Sequence, residues 1–122
     1  MNYKQLLILK LSGVVEWKNE KEMMIPEEMH KDFDLYQTCE FLGDCRYILR
    51  EYHKNGKLYR RAEHQNDQRH GKWISCYKSG QLMVEMEYRC DLRHGMEFRY
   101  WGDERPAWEK EWENGKLIRS AP

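Results

Sequence analysis

The chain has 122 residues, enough for one small domain or a short array with a cap. Lys plus Arg and Asp plus Glu both number 21, so the formal charge is zero and binding of nucleic acid by bulk charge is not expected. A mean hydropathy of −1.03 is low for a thick core, yet 13% aromatics is too many for a disordered chain, which suits a thin, solvated sheet pinned by large rings.

Residues 3–17 read as strands, with Gly13 at a turn and Val14-Val15-Glu16-Trp17 after it. The run Leu6-Leu7-Ile8-Leu9 is far short of the roughly 18 apolar residues that span a bilayer and has no small-residue cleavage site behind it. A cytoplasmic, intracellular protein is therefore expected, with Cys39, Cys45, Cys76 and Cys90 as reduced thiols. Pro26 to Phe33 reads as a short helix: Pro suits the first position, acids the first turn, and Met29 and Phe33 stack one turn apart. Residues 1–43 thus form an N-terminal α/β cap.

From residue 44 onward a phrase of 24 residues recurs, the mark of stacked supersecondary units. Gly56-Lys57-Leu58 returns as Gly80-Gln81-Leu82, and Arg69-His70-Gly71 returns as Arg93-His94-Gly95. The units divide at about 44–69, 70–93 and 94–118. Each reads as one β-hairpin plus a connector, so the fold class is mostly β. In the first unit Asn55-Gly56 lies between strand-like runs, a strong hairpin signal. In the second, Trp73 to Tyr77 leads to a turn at Gly80, and Val84, Met86 and Tyr88 share one face against Glu85 and Glu87 on the other. Cys76 shares the slot of Tyr52 and Tyr100, which predicts a core position. In the third, Glu104 and Pro106 replace Gly80 and Leu82, which predicts a turn of different shape. Trp108 to Glu113 reads as an acid-rich end strand that discourages edge pairing.

Gly71-Lys72-Trp73, Tyr77-Lys78-Ser79-Gly80-Gln81-Leu82, Glu85, Tyr88 and His94-Gly95 together resemble the variant MORN repeat. That repeat is typical of YwqK-like antitoxin proteins of bacteria and is abundant in some giant DNA viruses. The likeness covers roughly residues 44–118. It implies a single-layer antiparallel sheet of consecutive hairpins serving as a binding platform, spacer or assembly module. It also implies a virus-encoded scaffold or virion-associated protein, with an antitoxin or immunity-type inhibitor that masks a toxin as the alternative.

The chemistry-bearing residues follow the repeat before they suggest a site. His70 and His94 are one period apart, so they sit on adjacent units and do not converge as zinc ligands; each can support a connector by hydrogen bonding. Glu63, Glu87 and Glu111 form a column that recurs with the units and suits turn amides or Arg neighbours better than acid–base catalysis. A small hydrolase or isomerase using Glu87 and His64 is the third reading; no enzyme, cofactor or metal is expected. Membrane contact is not expected either, since clustered cations are few. One small helix cannot cover both faces of a sheet, so some rings are left for a protein partner or neighbouring subunits. The expected binding residues are Trp73, Tyr77, Arg99, Tyr100 and Trp101, held by turns at Gly56, Gly71, Gly80, Gly95 and Gly115.

Overall fold

The structure, a computed structural model, describes residues 1–26, 35–103 and 105–122. Among the described residues are one helix, α1 (Tyr3–Ser12), and ten strands. These are β1 (Met23–Met24), β2 (Leu35–Gly43), β3 (Arg46–His53), β4 (Leu58–Gln65), β5 (Gln68–Cys76), β6 (Leu82–Arg89), β7 (Leu92–Arg93), β8 (Gly95–Tyr100), β9 (Pro106–Glu113) and β10 (Lys116–Ala121). All ten belong to one antiparallel sheet, ordered β1-β2-β3-β4-β5-β6-β8-β9-β10, with β7 paired to β6. Each strand lies beside its chain neighbour, as a run of hairpins requires. The expected mostly-β, open sheet is the fold observed, and β2 joins it along its whole length.

The 24-residue period is written into the backbone. Register shifts occur at Glu51/Tyr52, Ser75/Cys76 and Arg99/Tyr100, one unit apart each time. Such bulges sharpen the local twist and end the regular ladder before the wide turn. Those turns are closed by matching bonds: the N–H groups of His53, Tyr77 and Trp101 donate to the carbonyls of Lys57, Gln81 and Arg105. The third turn therefore keeps the closing bond of the other two, although Glu104 itself lies outside the described residues. At the opposite end of the strands, Asn66-Asp67, Cys90-Asp91 and Asn114-Gly115 each supply two consecutive positive φ angles, as two-residue hairpin turns of the I′ kind require. The connectors are thus hairpin turns in their own right.

Gly71 shows why glycine is needed inside a strand. Its φ is +102°, and a Cβ built there would run into the Glu63 carboxylate. That carboxylate accepts the Lys72 N–H at 3.1 Å and the Arg61 guanidinium at 2.9 Å. Glu87 lies beside Gly95 in the next unit, and Glu111 accepts from Arg119 at 3.0 Å. His70 and His94 likewise do the same work: their Nδ1 atoms accept the N–H groups of Cys90 and Asn114, each at 3.3 Å. The expected structural roles of Glu63, Glu111 and both histidines are borne out at these contacts.

Two expectations need correction. Residues 3–12 are helix, not strand. Asn2 and Gln5 form a capping box, each side chain bonding the other's backbone N–H, and Gly13 ends the helix in the left-handed conformation at φ 73°. These local signals outweigh the strand-like look of the Leu/Ile run. Of the expected strand after Gly13, only Trp17 makes a ladder contact, to Met23. The helix expected over Pro26 to Phe33 lies outside the described residues beyond Pro26. Second, β9 is not the last strand. β10 pairs with it, and Arg119 holds Glu109 at 3.1 Å and Glu111 at 3.0 Å, so those acids serve an ion-pair cluster.

The apolar core sits at the N-terminal end of one face. Leu6 is fully buried against Met23, Ile25, Cys39 and Tyr47, with Tyr3, Leu9, Val15, Phe41 and Leu49 around it. Tyr3 stacks on Tyr47 at 5.9 Å and meets Phe41 edge-on at 6.1 Å. Burying a leucine in such a site stabilises by about 1.5–3 kcal/mol. Removal from water also pushes the Cys39 thiol up to about 12, so it stays protonated.

Candidate interaction face

Cross-strand partners share a face, so the register gives the surface row by row. One row across the helix-bearing face runs Cys39, Leu49, Ala62, Trp73, Met86. The adjoining row reaches Arg60, Ser75, Val84, Arg99 and Trp108. Helix α1 packs over the first strands only. From Trp73 onward, no described element lies over this face.

That open half is built from rings and cations. The Arg60 guanidinium lies over Trp73 at 5.4 Å, Arg69 over Tyr88 at 4.3 Å, Arg93 over Trp112 at 4.8 Å, and Arg99 over Trp108 at 5.1 Å. Lys110 also lies over Trp108, at 4.5 Å. Trp73 and Tyr88 meet edge-on with centroids 6.5 Å apart. Each contact contributes roughly 0.5–1 kcal/mol at a solvated site. Together they explain how large rings stay ordered without a second layer above them.

Glu97 lies at the centre of this half, only 1% exposed. The Trp112 Nε1–H donates to one of its oxygens at 2.8 Å, and the Arg99 Nε–H reaches the other at 3.5 Å. The slot one unit earlier holds Trp73, so the repeat gave no warning of a carboxylate here. Its signal was the exception: an acid breaking an otherwise apolar column.

The five residues expected to bind a partner fall into two groups. Trp73 and Arg99 belong to the open face described above. Tyr77, Tyr100 and Trp101 sit instead at the wide-turn end of the strands. There the Tyr77 hydroxyl donates to the Tyr100 carbonyl at 2.9 Å, and Trp101 is 57% exposed. Trp108, Trp112, Tyr88 and Lys110 complete the open face. Cys76 is buried as expected, and burial raises its pKa.

The opposite face has a different character. A groove of about 470 Å³ is bordered by Glu22, Glu40, Arg50 and Arg61. Burial pushes the Glu22 carboxyl up, but hydrogen bonds from Tyr52, Asn19 and Thr38 and the Arg50 charge outweigh it and hold the group below its ordinary range. The Tyr52 hydroxyl is raised by burial and by its bond to Glu22. Arg50 donates to Glu40 at 2.7 Å. Glu22 and Glu40 are thus engaged, and Glu22 ties residues 19–22 to the sheet through Thr38 and Tyr52. Among the described residues no three His, Cys, Asp or Glu side chains converge as a metal site. No described helix is long and apolar enough to cross a membrane.

Residues 48–66 and 69–89 each match the model of the MORN repeat variant. The two stretches cover about a third of the chain and correspond to β3–β4 and β5–β6. Strands β8 and β9 lie outside the match, yet they repeat the bulge, the closing bond and the histidine contact of the matched units. Such repeats are commonly protein- or membrane-interaction modules and generally non-catalytic. No curated protein matches the chain.

Proposed function

We propose that the chain is a non-enzymatic protein-interaction module whose binding surface is the open half of the helix-bearing face, from Trp73 to Trp112. A single observation carries this reading: α1 seals the face over β2 and β3, whereas Trp73, Tyr88, Trp108 and Trp112 stand half-buried on the same face with no described element above them. Trp, Tyr and Arg are the residue types that dominate protein-binding hot spots. Here they are held by stacking and by the Glu97 bond, so little side-chain freedom is lost on association. An assembly scaffold fits this surface better than a masking inhibitor of a basic enzyme. The inhibitor would need a free acidic face, and the acids opposite are taken up by Arg61, Lys72 and Arg119.

Affinity purification of the intact protein from its native extract, repeated with Trp73→Ala and Trp108→Ala, tests the reading. Phe98→Ala, on the opposite face, is the control. Partners lost with the tryptophan variants and kept with Phe98→Ala are expected. Partners kept by both tryptophan variants would contradict it.

A further inference from the structure

We infer that the occupant of this open face is an acidic protein segment, an inference that rests on the platform reading above. Zero net charge conceals a local surplus. On β4–β9 the helix-bearing face presents Arg60, Arg69, Arg93, Arg99 and Lys110 against Glu97 on a strand and Asp91 at a turn. Among the described residues, balancing acids lie on the opposite face, such as Glu63, Glu85, Glu109 and Glu111.

Three of those cations have a counter-ion. Arg60 pairs with Glu51 at 3.2 Å, Arg69 with Asp91 at 3.2 Å, and Arg99 with Glu97 at 3.5 Å. Arg93 and Lys110 have no ion pair among the described residues. The repeat explains the first of these. Arg69 on Tyr88 and Arg93 on Trp112 are the same device one unit apart. The slot that gives Arg69 its Asp91 holds Gly115 in the next unit, so Arg93 keeps the ring and lacks the carboxylate. Glu97 does not serve in its place: its oxygens bond Trp112 and Arg99, and it forms no ion pair with Arg93.

An incoming Asp or Glu restores the missing partner. Its carboxylate accepts from the Arg93 guanidinium, a second acid meets the Lys110 ammonium, and an intervening apolar side chain rests between Trp108 and Trp112. Nucleic acid fits less well. Two unneutralised cations are few for a phosphate polymer, and the protein's own cations already cover the rings on which bases would stack. An anionic membrane calls for a larger basic cluster than this.

Fluorescence anisotropy of the full chain with a labelled peptide of Glu, Leu and Ser tests the inference, beside the same peptide with Gln for Glu. The Glu peptide is expected to bind more tightly and to weaken as salt rises. Arg93→Gln with Lys110→Gln is expected to weaken it at least tenfold. Arg89→Gln with Lys116→Gln, an equal charge change on the opposite face, is expected to leave it within twofold. Circular dichroism checks that both double variants remain folded. Equal weakening by both pairs, or tighter binding of a single-stranded oligonucleotide or of phosphatidylserine vesicles, overturns the inference. Equal affinity for the Glu and Gln peptides, both lost in Trp108→Ala, overturns it and leaves the platform reading standing. If Trp108→Ala changes neither peptide's binding, both fall.

Discussion

The indole N–H of Trp112 donates to the buried carboxylate of Glu97 at 2.8 Å, tying β9 to β8 beneath the open face. Removing the donor to a buried carboxylate leaves that charge with its desolvation cost. Trp112→Phe is therefore expected to lower stability by about 1–3 kcal/mol in urea denaturation. The loss should shrink when Glu97 is already Leu, since no buried carboxylate is then stranded. Strictly additive losses would mean the bond contributes nothing.

Gly71 and Gly56 both have positive φ, but only Gly71 has the Glu63 carboxylate where a Cβ would go; nothing lies within 4 Å of the site at Gly56. Gly56→Ala should cost about 1–2 kcal/mol, from the left-handed conformation alone. Gly71→Ala should cost at least about 1 kcal/mol more, because it displaces Glu63 from the Lys72 N–H. Denaturant midpoints of the two variants decide the point; equal costs would refute the contact argument.

The array was legible in the sequence because its geometry demands particular residues in fixed slots. Gly71, Gly80 and Gly95 all have positive φ, and His70 and His94 both cap the following turn. The face of Val84, Met86 and Tyr88 could be read from simple alternation. The helix was misread because Leu6 to Leu9 resembles a strand, while the deciding signals were single residues, Asn2, Gln5 and Gly13. Trp73 and Arg99, named as binding candidates from their types, lie on the open face. Trp108 and Trp112 lay outside the expected binding set, on what reads as an acid-rich end strand. Nothing in residue type reveals which rings a distant helix will cover; that follows from where Leu6 docks.

Leu6 is fully buried at that dock, whereas Leu11 in the same helix is 76% exposed. Leu6→Ala is expected to cost about 2–5 kcal/mol, and Leu11→Ala to stay within about 0.5 kcal/mol. Thermal and urea unfolding measure both. Similar costs would place the helix elsewhere.

His64 stacks flat on Tyr47, with centroids 4.9 Å apart, and burial lowers its pKa against the opposing pull of the Ala62 carbonyl. A folded pKa below the unfolded value of about 6.5 means the unfolded chain binds the proton first. The stability from neutral His64 is full above that pH and is lost as pH falls through the lowered folded value. Unfolding free energy should decline from pH 7.5 toward pH 5.5 and decline less in His64→Phe. Parallel profiles would remove His64 as the cause.

Oxidative footprinting of the complex with a purified partner, read by mass spectrometry, tests the central claim most directly. Trp73, Tyr88, Trp108 and Trp112 are expected to lose reactivity on binding, while Met96 and Phe98 on the opposite face keep theirs. Protection of Met96 and Phe98 with the tryptophans unchanged would contradict the account.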